Sequence, residues 1–250
     1  MISQTYIEQI QKELFYIGNL ELLKSRKVSI VGTRKPNVYT QTKTKTLASK
    51  LSMAGVCIVS GGAMGVDAIA HSSAGVDNTI SVVANGLDIR YPSVNKKLIE
   101  QIENNGLMLS SFEVGHIARN YNFVQRNEIV VALGEVLVVA QADIDSGSMR
   151  SVEFALKEGK EIYVLPHRLD DSEGTNTLLK NGLAKAIYDI DDFVGMFGNV
   201  ALSHVQDEFL DYCKINPTYD DAVCKFGSKV FEYELLGKIE VKNGIITKIG

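Results

Sequence analysis

Apolar residues fall along this chain in two rhythms. Short runs rich in Val, Ile and Leu occupy residues 28–31, 56–59, 79–84, 107–110, 136–140 and 162–165, and amphipathic stretches of helical period separate most of them. An apolar run of this length has no polar face, so each predicts a strand buried on both sides. Strands alternating with helices predict a parallel sheet with helices on both faces. Glycines at 55, 75, 106, 134, 159 and 182 stand just before or near the next apolar run, where a helix would stop. The expectation is an α/β fold: a doubly wound, mostly parallel Rossmann-like sheet over residues 26–198. Residues 1–25 are expected to supply a short helical segment and little more than one helix.

After residue 197 the rhythm changes. Residues 205–214, 219–226 and 229–236 predict three short helices, and 238–249 predict a hairpin turning at Lys242-Asn243-Gly244. Three helices and a hairpin make a small winged-helix-like α+β domain over residues 204–250. It carries eight acids against six lysines and no arginine, which favours protein contacts over DNA contacts.

With 250 residues, 45% hydrophobic and 22% charged, the chain can bury a full-sized core and a small second domain. The start of the sequence has no basic segment followed by an apolar run, so no secretory signal is expected. The least charged stretch, 129–142, contains Glu135 and is too short to span a bilayer; it predicts a helix end running into a buried strand. Cys57, Cys213 and Cys224 form no CxxC pair, which fits a reducing cytoplasm, and Cys57 is expected in a buried strand. His71, His116, His167 and His204 show no metal-ligand spacing, so no metal is expected.

Net charge is −4, yet its distribution is uneven. Between Glu21 and Lys50, the basic residues Lys24, Arg26, Lys27, Arg34, Lys35, Lys43, Lys45 and Lys50 stand against the single acid Glu21. Such a patch can gather phosphates on an acidic protein. Lys43, Lys45 and Lys50 read equally well as one solvated helix face.

Ligands of doubly wound sheets collect at the carboxyl ends of the strands. Gly32-Thr33-Arg34-Lys35-Pro36 follows the first run, Ser60-Gly61-Gly62-Ala63-Met64-Gly65-Val66-Asp67 the second, and Ser146-Gly147-Ser148 lies after the fifth. Each is a turn opening a helix, where free N–H groups and the helix dipole attract anions; side by side they would make a phosphate-binding floor. Ser60 stands where a dinucleotide fingerprint needs its first glycine, so a nicotinamide cofactor is not expected. Arg34 can grip phosphate oxygens in pairs. Asn120, Tyr121, Asn122, Phe123, Arg126 and Asn127, expected at a loop before a helix, can stack a base, read its edge and hold its phosphate. The alternative places Phe123 in the core and Arg126 in a helix-start ion pair. No nucleophile with a base and no paired carboxylates stand at the strand ends, so no catalysis is expected; Asp67 is expected to order the glycine turn.

Ile30-Val-Gly-Thr-Arg34, Ser60-Gly-Gly-Ala-Met-Gly-Val-Asp67, Phe123-x-x-Arg-Asn127, Ser146-Gly-Ser148 and Gly174-Thr-Asn176, in this order, resemble the DNA-processing protein A family (DprA, also called Smf). The resemblance covers roughly residues 27–197. It implies a Rossmann-like domain that binds single-stranded DNA without cofactor or catalysis, protects the strand and loads the RecA recombinase during natural transformation, with a homodimer as the family precedent. It implies phosphate contacts by Arg34, Gly61 and Gly62, and a base pocket near Phe123, Arg126 and Asn127. Ala118-Arg119-Asn120 depart from the family, whose members commonly carry a proline and a lysine in that neighbourhood. A rival class with the same layout cleaves nucleoside monophosphates at the glycosidic bond beneath a Pro-Gly-Gly-x-Gly-Thr-x-x-Glu turn. Here the region runs Asp145-Ser-Gly-Ser-Met-Arg-Ser-Val-Glu153, leaving Glu153 without the glycine turn. A third reading is an interaction scaffold.

Overall fold

The computed structural model describes residues 2–198, 208–235, 237–242 and 244–248. The chain divides into two units, Met1–Asn199 and Val200–Gly250.

The first departure from the sequence pattern comes at once. In place of a helical segment, residues 3–18 form an antiparallel hairpin, β1 (Ser3–Ile7) and β2 (Lys12–Gly18), closed at Gln11 with φ 49°. Ile7, Ile10 and Leu14 recur at a helical spacing, so the local pattern misleads. Tertiary pairing decides the outcome. The second half of β2 runs antiparallel to β6 (Leu107–Ser110), with Phe15 opposite Ser110 and Gly18 opposite Leu107. That pairing covers a sheet edge that would otherwise present bare N–H and C=O groups. Ile7 and Leu14 join the core.

The expected strands are all present: β3 (Lys27–Val31), β4 (Cys57–Ser60), β5 (Thr79–Val83), β6, β7 (Val136–Val139) and β8 (Ile162–Val164), with a short β9 (Lys185–Ala186) beyond. Every residue of β3 to β8 is buried, the physical counterpart of their runs rich in Val, Ile and Leu. The sheet order is β1-β2-β6-β5-β4-β3-β7-β8-β9, parallel from β6 to β9. Cys57, fully buried at the start of β4, has its thiol pushed up to about 12 by burial. The helices between the strands are α1 (Val38–Met53), α2 (Val66–Ala74), α3 (Lys96–Asn105), α4 (Asn120–Leu133), α5 (Gly147–Lys157), α6 (Glu173–Lys180) and α7 (Ile190–Gly195). As expected, the stretch 129–142 is the end of α4 running into β7. No described helix is long and apolar enough to cross a membrane.

The chain leaves β3 toward β4 on one side and returns at β7 to build outward on the other. Its topological switch point therefore lies between the carboxyl ends of β3 and β7.

In the second unit, α8 (Glu208–Cys213), α9 (Tyr219–Phe226) and α10 (Lys229–Leu235) precede a hairpin of β10 (Ile239–Lys242) and β11 (Ile245–Lys248). Phe209, Cys213, Ala222, Val230, Ile239 and Ile246 form its core. Of the stretches expected here, 205–207, Leu236, Asn243 and Ile249 lie outside the described residues.

Candidate nucleic-acid interface

The three turns singled out in the sequence meet at the switch point. They border one open crevice of about 480 Å³ whose lining includes Gly32 to Lys35, Gly61, Phe123, Arg126, Asn127 and Ser146 to Ser148. Backbone bonds lock the turns together. Thr33 N–H donates to the Gln141 carbonyl at 2.8 Å, and Val66 N–H donates to the Thr33 carbonyl at 3.2 Å. Gly65, at φ +78°, makes this approach possible, since a Cβ there would stand 2.5 Å from the Thr33 carbonyl oxygen. The Gln141 side chain braces the same corner, accepting from Asn37 N–H and Thr40 Oγ1.

The middle turn therefore differs from a free phosphate cradle. Val66 N–H is engaged by Thr33, and Ala63 N–H donates to Asp67 Oδ2 at 3.3 Å. Asp67 orders this turn, as its position suggested, and it also faces Arg126 at 3.8 Å. Both side chains are buried, and Arg126 Nη1 donates to the Val82 carbonyl. Burial pushes the Asp67 carboxyl up and the Arg126 guanidinium down, and each is held back by the other's charge. Gly61 sits directly beneath that guanidinium, where a Cβ would collide with it. Gly62 lines a smaller notch beside the crevice, with Tyr91 and Met64.

Phe123 is half-buried and forms the wall between crevice and notch. Arg34 and Arg126 approach its ring, at 5.6 Å and 5.9 Å from the centroid. Arg126 thus fills both roles left open by the sequence: an ion pair and a lining group. Arg34 is exposed, and among the described residues its guanidinium has no hydrogen bond and no ion pair. It is the cation of this crevice left free for a ligand, together with Lys35 at the rim.

Three expectations need correction. Residues 120–127 are the first two turns of α4 and not a loop. Asn122 is consequently turned inward: its Oδ1 accepts from Arg119 N–H at 2.8 Å and meets His116 Nε2 at 3.2 Å, capping the helix. It does not border the crevice and cannot read a base edge there, and the exposed Asn120 does not border it either. Half of the basic patch is engaged within the protein. Lys24 pairs with Glu21, Arg26 with Glu135 and Lys50 with Asp191, while the buried Lys27 donates to the Leu23 and Ser25 carbonyls.

Asn127 borders the crevice, where its Nδ2 donates to the Gly147 carbonyl at 3.2 Å. Ser146 is the N-cap residue of α5 yet makes no side-chain cap. Tyr91, absent from the sequence reading, lies 6.3 Å from Phe123 by ring centroids and is half-exposed. An aromatic between a strand end and the next helix was the only local signal for it. Glu153, the acid the rival class needs, is an exposed partner of Arg150 at 2.9 Å and does not border the crevice. Among the described residues no group of three His, Cys, Asp or Glu side chains could hold a metal ion.

A doubly wound sheet with its crevice at the switch point defines a Rossmann-like domain. More narrowly, residues 3–198 match the DNA recombination-mediator protein A family, and the chain belongs to it. It is 36% identical over 188 residues to DNA processing protein DprA of Streptococcus pneumoniae, covering 74% of this chain and 66% of that protein. It is 35% identical over 197 residues to Protein Smf of Synechocystis, covering 76% and 49%. The chain thus spans about half to two thirds of the length of these relatives. Among solved structures, DNA processing protein A from Helicobacter pylori, described with its single-stranded DNA binding mode, matches with TM-score 0.76 and 40% identity over 78% of this chain and 95% of that one. The Streptococcus pneumoniae protein matches with TM-score 0.69 and 36% identity over 74% and 66%.

Proposed function

We propose that this chain is a non-catalytic single-stranded DNA-binding protein. The observation that carries the reading is Arg34, free of protein partners among the described residues and set against the Phe123 ring in an open crevice. A guanidinium fork beside an aromatic face suits a phosphate and its unpaired base. A duplex keeps its bases stacked away from such a ring. Arg34, Gly61, Phe123, Arg126, Asn127, Ser146, Gly147 and Ser148 form the binding surface, with Gly62 in the adjoining notch.

Family membership and the likeness to the Helicobacter pylori protein support the wider role: protection of incoming DNA and loading of the RecA recombinase in the cytoplasm during natural transformation, by a homodimer. The second unit, with the helix and hairpin order of a winged helix and an acidic balance, serves protein contacts in this reading. Fluorescence anisotropy with labelled single strands and duplexes of equal length, repeated across salt concentrations, tests the core of it. Preference for the single strand with affinity falling as salt rises is expected. Equal affinity for duplex defeats it, and release of free base from a nucleoside monophosphate would favour the rival enzyme class.

A further inference from the structure

The start of α5 carries a feature that a passing DNA strand does not require. Ser151 lies one turn inside the helix, fully buried, and borders the crevice, yet its Oγ has no hydrogen-bond partner among the described residues. A helical serine ordinarily donates to the carbonyl four residues back. Here that carbonyl is Gly147, which is held by Asn127 Nδ2 from α4. The Ser146 Oγ, buried at the N-cap position, is likewise unpartnered. Two unused hydroxyl donors thus stand at the positive end of an 11-residue helix, bordering the same crevice as Arg34.

A phosphodiester inside a strand offers two free oxygens and one charge, whereas a phosphomonoester offers three free oxygens and up to two charges. The surplus of donors matches the second. The opposing carboxylates are few: Asp67 is engaged by Arg126, and Asp143 is exposed at the rim. A crevice of about 480 Å³ falls in the range of small-ligand sites and has room for one nucleotide. We propose that this subsite takes a phosphomonoester carried on a nucleoside, with the phosphate at Ser146, Ser151 and the α5 start and the base against Phe123. The source is either the 5′-phosphorylated end of a strand or a free nucleoside 5′-monophosphate. The inference rests on the crevice being the DNA site proposed above, and it adds recognition of a terminal phosphate.

The test displaces a labelled 5′-hydroxyl oligothymidine from the full chain with dAMP, deoxyadenosine or inorganic phosphate, and compares short strands with 5′-phosphate and 5′-hydroxyl ends. Displacement by dAMP at concentrations at least about tenfold below those needed for deoxyadenosine is expected. A 5′-phosphate advantage among strands assigns the strand end as the source; dAMP competition without that advantage assigns the free nucleotide. Ser151→Ala, with Ser146→Ala as a second variant, should bring the dAMP to deoxyadenosine ratio toward one without lowering the melting temperature. If the oligothymidine binds but dAMP does not displace it and strand ends make no difference, the subsite is refuted while the DNA-binding reading stands. If the labelled strand does not bind at all, both fall together.

Discussion

Arg126 and Asp67 face each other at 3.8 Å with both side chains buried, and the guanidinium of the pair roofs Gly61. Arg126 lies in the second turn of α4 and Asp67 in the first turn of α2, so the contact fixes the helix bearing Phe123 against the glycine turn.

Removing one partner leaves an uncompensated buried charge. Asp67→Ala should lower unfolding stability by about 3 to 5 kcal/mol, read by chemical denaturation. Adding Arg126→Met should recover part of that loss, because an apolar side chain of similar reach needs no counter-charge. A single-variant cost under about 1 kcal/mol would show that water reaches the pair.

Gly61 tests the same contact from below. Its need for glycine is steric: a Cβ would overlap the Arg126 guanidinium. Gly61→Ala should therefore displace Arg126, destabilise the fold and weaken single-strand binding. In an Arg126→Ala background the same substitution should cost much less stability, and additive costs would refute the steric account.

The sheet was legible because its strands are buried on both faces, and such strands carry short runs rich in Val, Ile and Leu, set apart from the helices between them. The N-terminal hairpin was not, because Ile7, Ile10 and Leu14 have helical spacing and only pairing with β6 selects the strand. At the site, residue types were readable and their directions were not. Arg34 and Phe123 stand where strand-end logic puts them. Asn122 and Arg126, four apart on one face of α4, both turn inward, a consequence of where α4 begins that composition does not reveal. The basic patch misled for a related reason: a count of lysines does not show that Glu21, Glu135 and Asp191 lie within reach.

Arg34 and Phe123 should be separable by salt. Arg34→Ala should cost about 1.5 to 3 kcal/mol of single-strand affinity, and Arg34→Lys should restore only part, since an ammonium lacks the fork. Phe123→Ala should cost roughly 1 to 3 kcal/mol through lost stacking. Anisotropy titrations across salt should give a shallower slope for Arg34→Ala and an unchanged slope for Phe123→Ala. Normal binding by Arg34→Ala with an early melt would mean that Arg34 holds the first turn and the phosphate lies elsewhere.

His71 gives the fold a pH dependence of definite sign. It is fully buried on α2, and its Nδ1 lies 2.6 Å from Thr79 Oγ1. The Thr79 hydroxyl donates to the Ile58 carbonyl, so His71 Nδ1 carries the proton and Nε2 is bare. Nε2 has no partner among the described residues, and burial, aided by the Arg126 charge, pushes the imidazole down to about 3. The unfolded chain, with an ordinary histidine near 6.5, binds a proton that the folded chain refuses. This contribution is fully present above pH 6.5 and is lost as pH falls toward 3, by at most about 1.4 kcal/mol per pH unit. Asp67 acts in the opposite sense: its raised carboxyl stabilises at low pH and loses that contribution as pH rises through its folded value. The wild-type curve alone would mix the two. The difference in unfolding free energy between wild type and His71→Asn, measured by denaturant titration from pH 7 to about pH 4, isolates the histidine. That difference should shift steadily against the wild type as pH falls, and a flat difference would mean that the folded protein accommodates the imidazolium.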